Sequence, residues 1–100
     1  MIQVLKTKEM KSTTKVEGLL VQVDNKQWYA ITRMQPARFG WYLRCAPSTS
    51  TGKLNFGNEL YMYPTGNKKA EFQEGIDELL DILNGKKEGR LEHPDYNQRY

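Results

Sequence analysis

Three aromatic and cationic groupings carry the chemistry this sequence offers: Tyr29 with Arg33, Tyr42 with Arg44, and Tyr61 with Tyr63. Rings of this kind stack on the flat face of a nucleobase, and a guanidinium beside them holds a phosphate by charge-assisted hydrogen bonds. Lysines suited to a phosphate backbone stand nearby in sequence, at Lys8, Lys11 and Lys15 and again at Lys53. Groups that make or break covalent bonds are sparse. His93 is the single histidine and Cys45 the single cysteine, and neither has a base or nucleophile at motif spacing. A structural zinc site would have to be completed by carboxylates, which zinc seldom uses for that purpose. The chain is therefore expected not to be an enzyme and to carry no metal or cofactor. Gly52-Lys53 after a Ser/Thr run is not a phosphate-binding loop. Pro47 stands where that loop needs its first glycine, and Leu54 where it needs a magnesium-binding hydroxyl.

Those side chains must be positioned by strands. Phe39, Trp41, Leu43 and Cys45 alternate with Gly40, Tyr42, Arg44 and Ala46, which puts the first set on a core face and the second on the opposite one. Val16 to Val23 is a β-branched strand with Leu19, Val21 and Val23 inward, and Asp24-Asn25 turns it into a hairpin. In the following strand Trp28 is the largest apolar body. It is placed inward with Ala30 and Thr32, leaving Tyr29, Ile31 and Arg33 outward. Gly57 to Tyr63 is the fourth strand, with Leu60 and Met62 inward and Tyr61 and Tyr63 outward, ended by Pro64 to Asn67. Phe72, Ile76, Leu79, Leu80 and Leu83 then recur at helical spacing against an acidic remainder of Glu71, Glu74, Asp77, Glu78 and Asp81, and Asn84-Gly85 supplies a left-handed stop.

The expected fold is α+β: a four-stranded antiparallel meander packed by one C-terminal amphipathic helix. It forms a single domain over residues 1–84. Ile2, Val4 and Leu5 either form a short strand or pack against a neighbour. Lys6 to Lys15 has the aperiodic basic composition of a flexible arm, and residues 85–100 that of a tail which is disordered or lies across a partner or its own sheet. One helix covers one face of a sheet, so the face carrying Tyr29, Ile31, Arg33, Tyr42, Arg44, Tyr61 and Tyr63 is left without an internal partner. Clustered exposed rings mark a binding surface or a subunit interface. Cross-strand pairs that merely stabilise an exposed face are the plainer alternative.

Composition adds an electrical polarity. Residues 1–70 hold 11 basic and 4 acidic side chains, residues 71–100 hold 4 and 8. A basic front attracts a polyanion and an acidic back orients the encounter. One cysteine at an inward position fits a reducing compartment, and no stretch resembles a signal peptide or a membrane span, so a soluble cytoplasmic protein is expected.

Lys26-Gln27-Trp28-Tyr29, followed by Gly40-Trp41-Tyr42-Leu43, a later strand and a closing amphipathic helix, resembles a PUR repeat over roughly residues 16–84. The four-strand-plus-helix order is also similar to the PC4 and Whirly group. The resemblance implies binding of single-stranded DNA or RNA on the sheet and pairing of two units into a homodimer. Tyr29, Tyr42, Tyr61 and Tyr63 would then stack on bases, while Arg33, Arg44, Lys53, Lys8, Lys11 and Lys15 neutralise phosphates. The alternative is a small modulator or inhibitor, for example of phage type, that docks a protein partner through the same aromatic face.

Overall fold

The structure, a computed structural model, describes residues 1–11, 16–35, 40–55 and 57–94. Five strands form one antiparallel sheet in chain order: β1 Val4–Glu9, β2 Val16–Val23, β3 Trp28–Met34, β4 Trp41–Ser48 and β5 Tyr61–Gly66. One helix follows, α1 Phe72–Leu83. The α+β class holds, with five strands rather than four. The added strand is β1, drawn from the segment whose lysines read as a flexible arm. Its register with β2 runs from Val4 opposite Val23 to Glu9 opposite Leu19, with a bulge between Val4 and Lys6. Lysines alternating along an edge strand, together with a bulge, are how sheets discourage pairing with a stray strand. Composition alone cannot tell such an edge from a loop. Lys15 lies outside the described residues.

The helix forms where its periodicity predicts. Gly75 and Leu79 are buried, and Phe72, Ile76, Leu80 and Leu83 pack on the core formed by Val21, Val23, Tyr29, Ile31, Leu43, Cys45, Tyr61 and Tyr63. Glu71 stands at its N-cap without a side-chain bond, and before it Thr65 Oγ1 donates to Lys68 O at 2.9 Å. At the other end Gly85 adopts φ 73 and donates to Ile82 O at 3.1 Å, the expected left-handed stop. Asn84 ties the last turn to the start of the chain: its Oδ1 accepts from Ile2 N at 2.7 Å and its Nδ2 donates to Ile2 O at 3.1 Å. Gly75 lets the helix approach closely. A Cβ there would lie 2.7 Å from Ile31 Cγ2 and 2.8 Å from the Tyr61 hydroxyl.

The sheet's facing differs from expectation in two strands. Leu19, Val21 and Val23 of β2 and Leu43 and Cys45 of β4 face the helix as predicted. Cross-strand register then carries Tyr29, Ile31 and Arg33 of β3 and Tyr61 and Tyr63 of β5 to that same side. Trp28, Ala30, Thr32 and Met62 lie on the far side. Trp28 is the larger body but only half-buried; Ile31, the branched aliphatic residue of that strand and fully buried, marks the inward phase.

The far side is covered as well. Leu20, Ala30, Thr32, Ala46 and Met62 are buried there. Their cover includes a hairpin that continues β4: Ser48 bridges Leu54, Asn55 N donates to Pro47 O at 2.9 Å, and Gly52 turns the tip with φ 91. Lys8 Nζ of β1 donates to Ser50 O at 2.9 Å. In a flat sheet β1 and β4 are about 14 Å apart, three strand spacings, so this bond requires the sheet to coil and the hairpin to lean back across it. Gly18 leaves room for Met10, whose Sδ would lie 2.5 Å from a Cβ there and whose Cε would lie 3.3 Å from a Cβ on Gly52 of the hairpin.

The tail also lies on its own sheet in part. Met62 N donates to Arg90 O and Glu92 N to Met62 O, both at 2.7 Å, and Pro94 is buried. Residues 95–100 are outside the described set.

Candidate nucleic-acid interface

The sequence-predicted site divides between the two sides of the sheet. Beneath the helix, Tyr61 is 0 % exposed and its hydroxyl donates to Gly75 O at 2.9 Å. The Tyr63 hydroxyl donates to Glu74 Oε2 at 2.8 Å, and the Arg90 guanidinium lies 4.6 Å from its ring centroid. Phenol rings reach from strand to helix and place a polar tip where helix backbone or carboxylate can accept it, so tyrosine serves here as a long core residue. Burial pushes the Tyr61 and Tyr63 hydroxyls far above the ordinary phenol value of 10.0, and raises Tyr29 for the same reason. Arg33 stacks on Phe72 at 4.0 Å from the ring centroid, donates to Ala70 O at 3.1 Å and pairs with Glu17. Lys69 shares that carboxylate at 3.0 Å and holds it below the usual carboxylate range. None of Tyr29, Tyr61, Tyr63 or Arg33 is therefore presented for stacking or phosphate binding. The expectation of an exposed tyrosine face fails because the polar tips that suggested solvent are satisfied inside.

The far side keeps Tyr42 and Arg44, in the phase expected of them, and adds Lys8 of β1, from the segment read as a flexible arm. Tyr42 is buried and Arg44 half-buried, near Met62 and Pro64 of β5 in register. Toward the other end, one cross-strand row reads Lys6, Gln22, Trp28 and Ser48. Trp28 is half-buried, and Lys6 Nζ stands 5.7 Å from its ring centroid. Lys8 lies one row further along. Lys53 rises from the hairpin, its backbone N–H held by Thr49 Oγ1 at 3.1 Å, and Lys26 sits at φ 67 in the tight turn between β2 and β3. Lys11 is exposed just beyond β1. Among the described residues Lys6, Lys8, Lys11, Lys26 and Lys53 form no ion pair, whereas Arg33, Lys69, Lys87 and Arg90 all do. Of these cations Lys6 stands beside an indole that the sequence reading had placed in the core.

Between the hairpin and the β2–β3 turn runs an open groove of about 480 Å³, lined by Gln27, Pro47, Ser48, Thr49, Lys53, Leu54 and Asn55. Gln27 closes one end, its Nε2 donating to Trp28 O at 2.8 Å and to Ser48 O at 3.4 Å. The groove was not legible from sequence, since it needs the pairing of β3 with β4 to bring Gln27 to the hairpin.

The remaining candidates for chemistry stay inert. Cys45 is fully buried and burial drives its thiol far above the ordinary range, away from the reactive thiolate. His93 is exposed, and among the described residues no three of His, Cys, Asp and Glu gather to hold a metal ion. No described helix is long and apolar enough to cross a membrane. Compared with known protein families, with curated proteins and with solved structures, the chain matches none of them.

Proposed function

We propose that this protein binds single-stranded DNA or RNA through the sheet side that faces away from the helix. The observation that carries the reading is Lys6 beside the half-buried indole of Trp28, with Lys8, Lys26 and Lys53, which form no ion pair among the described residues, on the adjoining strand, turn and hairpin. Unpaired ammonium groups gain by exchanging small counter-ions for phosphates, and an indole offers a face to any base without demanding a sequence. The acidic helix lies on the opposite side and turns that side away from a polyanion. The likeness to PUR repeats supports the substrate class, with the stacking role moved from the tyrosines to Trp28. The protein-docking alternative draws less support, because the tyrosine patch it requires lies beneath the helix. A free, buried Cys45 favours a reducing compartment such as the cytoplasm.

Pairing of two copies belongs to the same proposal. The open edge is β1, and Lys6 and Lys8 set two such edges against each other by charge unless a polyanion lies between them. The dimer is expected with oligonucleotide and not without it, which sedimentation of both samples reads.

The test of the function is fluorescence anisotropy with labelled single strands of about 20 nucleotides, longer than one small binding fold covers. Wild type, Trp28→Ala and a Lys6→Ala/Lys53→Ala variant are compared at low and high salt. Salt-sensitive binding weakened by both changes supports the reading. Absence of binding at low salt overturns it.

A further inference from the structure

Resting on that single-strand reading, we infer that the groove between the β4 hairpin and the β2–β3 turn is a slot for one unstacked nucleobase. Its walls suit a flat ring: the Pro47 ring and the Leu54 side chain are apolar, and the volume of about 480 Å³ admits a base with its sugar. Its polar groups suit a base edge better than a phosphate. Gln27 spends its amide N–H groups on Trp28 O and Ser48 O, which leaves Oε1 as an acceptor. An acceptor repels a phosphate and welcomes the N–H groups on the edge of a base. Asn55 contributes a second side-chain amide, which makes no hydrogen bond among the described residues and offers donor and acceptor together. Lys53 is the one charged lining residue, so the groove carries a single cation for the phosphate flanking the base and no carboxylate to oppose it.

The slot also adjoins the proposed stacking residue. Ser48 lines the groove and stands directly opposite Trp28 in register, while Pro47, opposite Tyr29, falls in the other phase, so the groove meets the indole's side of the sheet at Ser48. The inserted nucleotide converts a purely electrostatic contact into one that needs the base itself.

The experiment compares an oligothymidylate of about 20 nucleotides with a strand of equal length and charge built from abasic sites, at low salt, by anisotropy. The wild type and the exposed double variant Gln27→Ala/Asn55→Ala are both titrated, with circular dichroism confirming that the variant is folded. Wild type is expected to bind the abasic strand at least about tenfold more weakly, since stacking and edge contacts are lost with the base. The double variant is expected to lose part of that ratio while binding the abasic strand as wild type does. Equal binding of both strands by wild type overturns the slot and the stacking role of Trp28 together, and leaves standing only the phosphate binding by the lysines. A ratio unchanged in the double variant overturns the slot too, assigning base contact to Trp28 alone. Binding of neither strand overturns both proposals.

Discussion

Tyr61 and Tyr63 on one side of the sheet and Trp28 on the other are all strand aromatics beside cations, yet they do different work. Under the helix the tips of three side chains are accepted or paired within the fold, Tyr61 by Gly75 O, Tyr63 by Glu74 and the terminal nitrogens of Arg33 by Ala70 O and Glu17, while Arg33 Nε is buried without a hydrogen-bond partner among the described residues. Beside Trp28, Lys6 forms no ion pair among the described residues. The residue types are alike and the difference lies in who satisfies them. A ring with its cation and hydroxyl already engaged contributes to stability; a ring beside unengaged cations has interactions left to offer a ligand.

The most forceful way to break this contrast is to truncate one ring on each side. Tyr61→Ala should cost about 3–5 kcal/mol of folding stability, as removal of a large buried ring does, read as a lower urea midpoint. A loss below about 1 kcal/mol would mean that the helix side is loosely packed and the contrast false. Trp28→Ala should reverse the balance, weakening single-strand affinity by about 1–3 kcal/mol with a smaller change in urea midpoint than Tyr61→Ala. Should Trp28→Ala unfold the chain while leaving its affinity intact, the indole belongs to the core.

A third comparison uses pH. The phenols under the helix stay protonated in the fold past the ordinary value of 10.0, because burial penalises the phenolate. The unfolded chain loses those protons first, so the contribution is fully present below pH 10 and falls as pH rises above it, by up to about 1.4 kcal/mol per pH unit for Tyr61. Urea titrations from neutral to alkaline pH should show that decline, and Tyr61→Phe should flatten it relative to wild type. The smallest expected effect sharpens the other side: each of Lys6→Ala and Lys53→Ala should reduce the slope of log affinity against log salt by about 0.7. Lys87→Ala, whose ammonium is engaged by Glu78 on the helix side, should leave the slope unchanged.

How far these two sides were legible follows from what strand periodicity encodes. In β2 and β4 the inward phase is mostly aliphatic or thiol, so Leu19, Val21, Val23, Leu43 and Cys45 announce it, and the helix stripe does the same. In β3 both phases carry a large residue, and ranking Trp28 by size over Ile31 by branching inverted the strand. In β5 the phenols signalled solvent although their hydroxyls find acceptors in α1, a contact across 14 positions for Tyr61 that no local pattern displays. Pro64 seemed to close the strand too early; β5 runs on through it to Gly66, the missing N–H being tolerable beside an edge. The groove escaped notice for a different reason. Pro47, Leu54 and Asn55 become one surface through the hairpin's own pairing, Ser48 with Leu54 and Asn55 N–H with Pro47 O, and Gln27, 21 positions from Ser48, joins them only through the pairing of β3 with β4.

The pair of hydrogen bonds between Asn84 and Ile2 has a consequence for the order in which the chain can finish folding. Adjacent antiparallel hairpins assemble β1 to β5 from near neighbours in sequence, each closing a short loop at small entropic cost. Ile2 has no such neighbour, because its amide and carbonyl are met by a side chain 82 positions later. A nascent chain can therefore form most of its sheet while still being synthesised, with Gln3 already held by Asp24, and yet Ile2 finds its partners only when the helix has been completed. One asparagine at the end of α1 makes the beginning of the fold wait for its end.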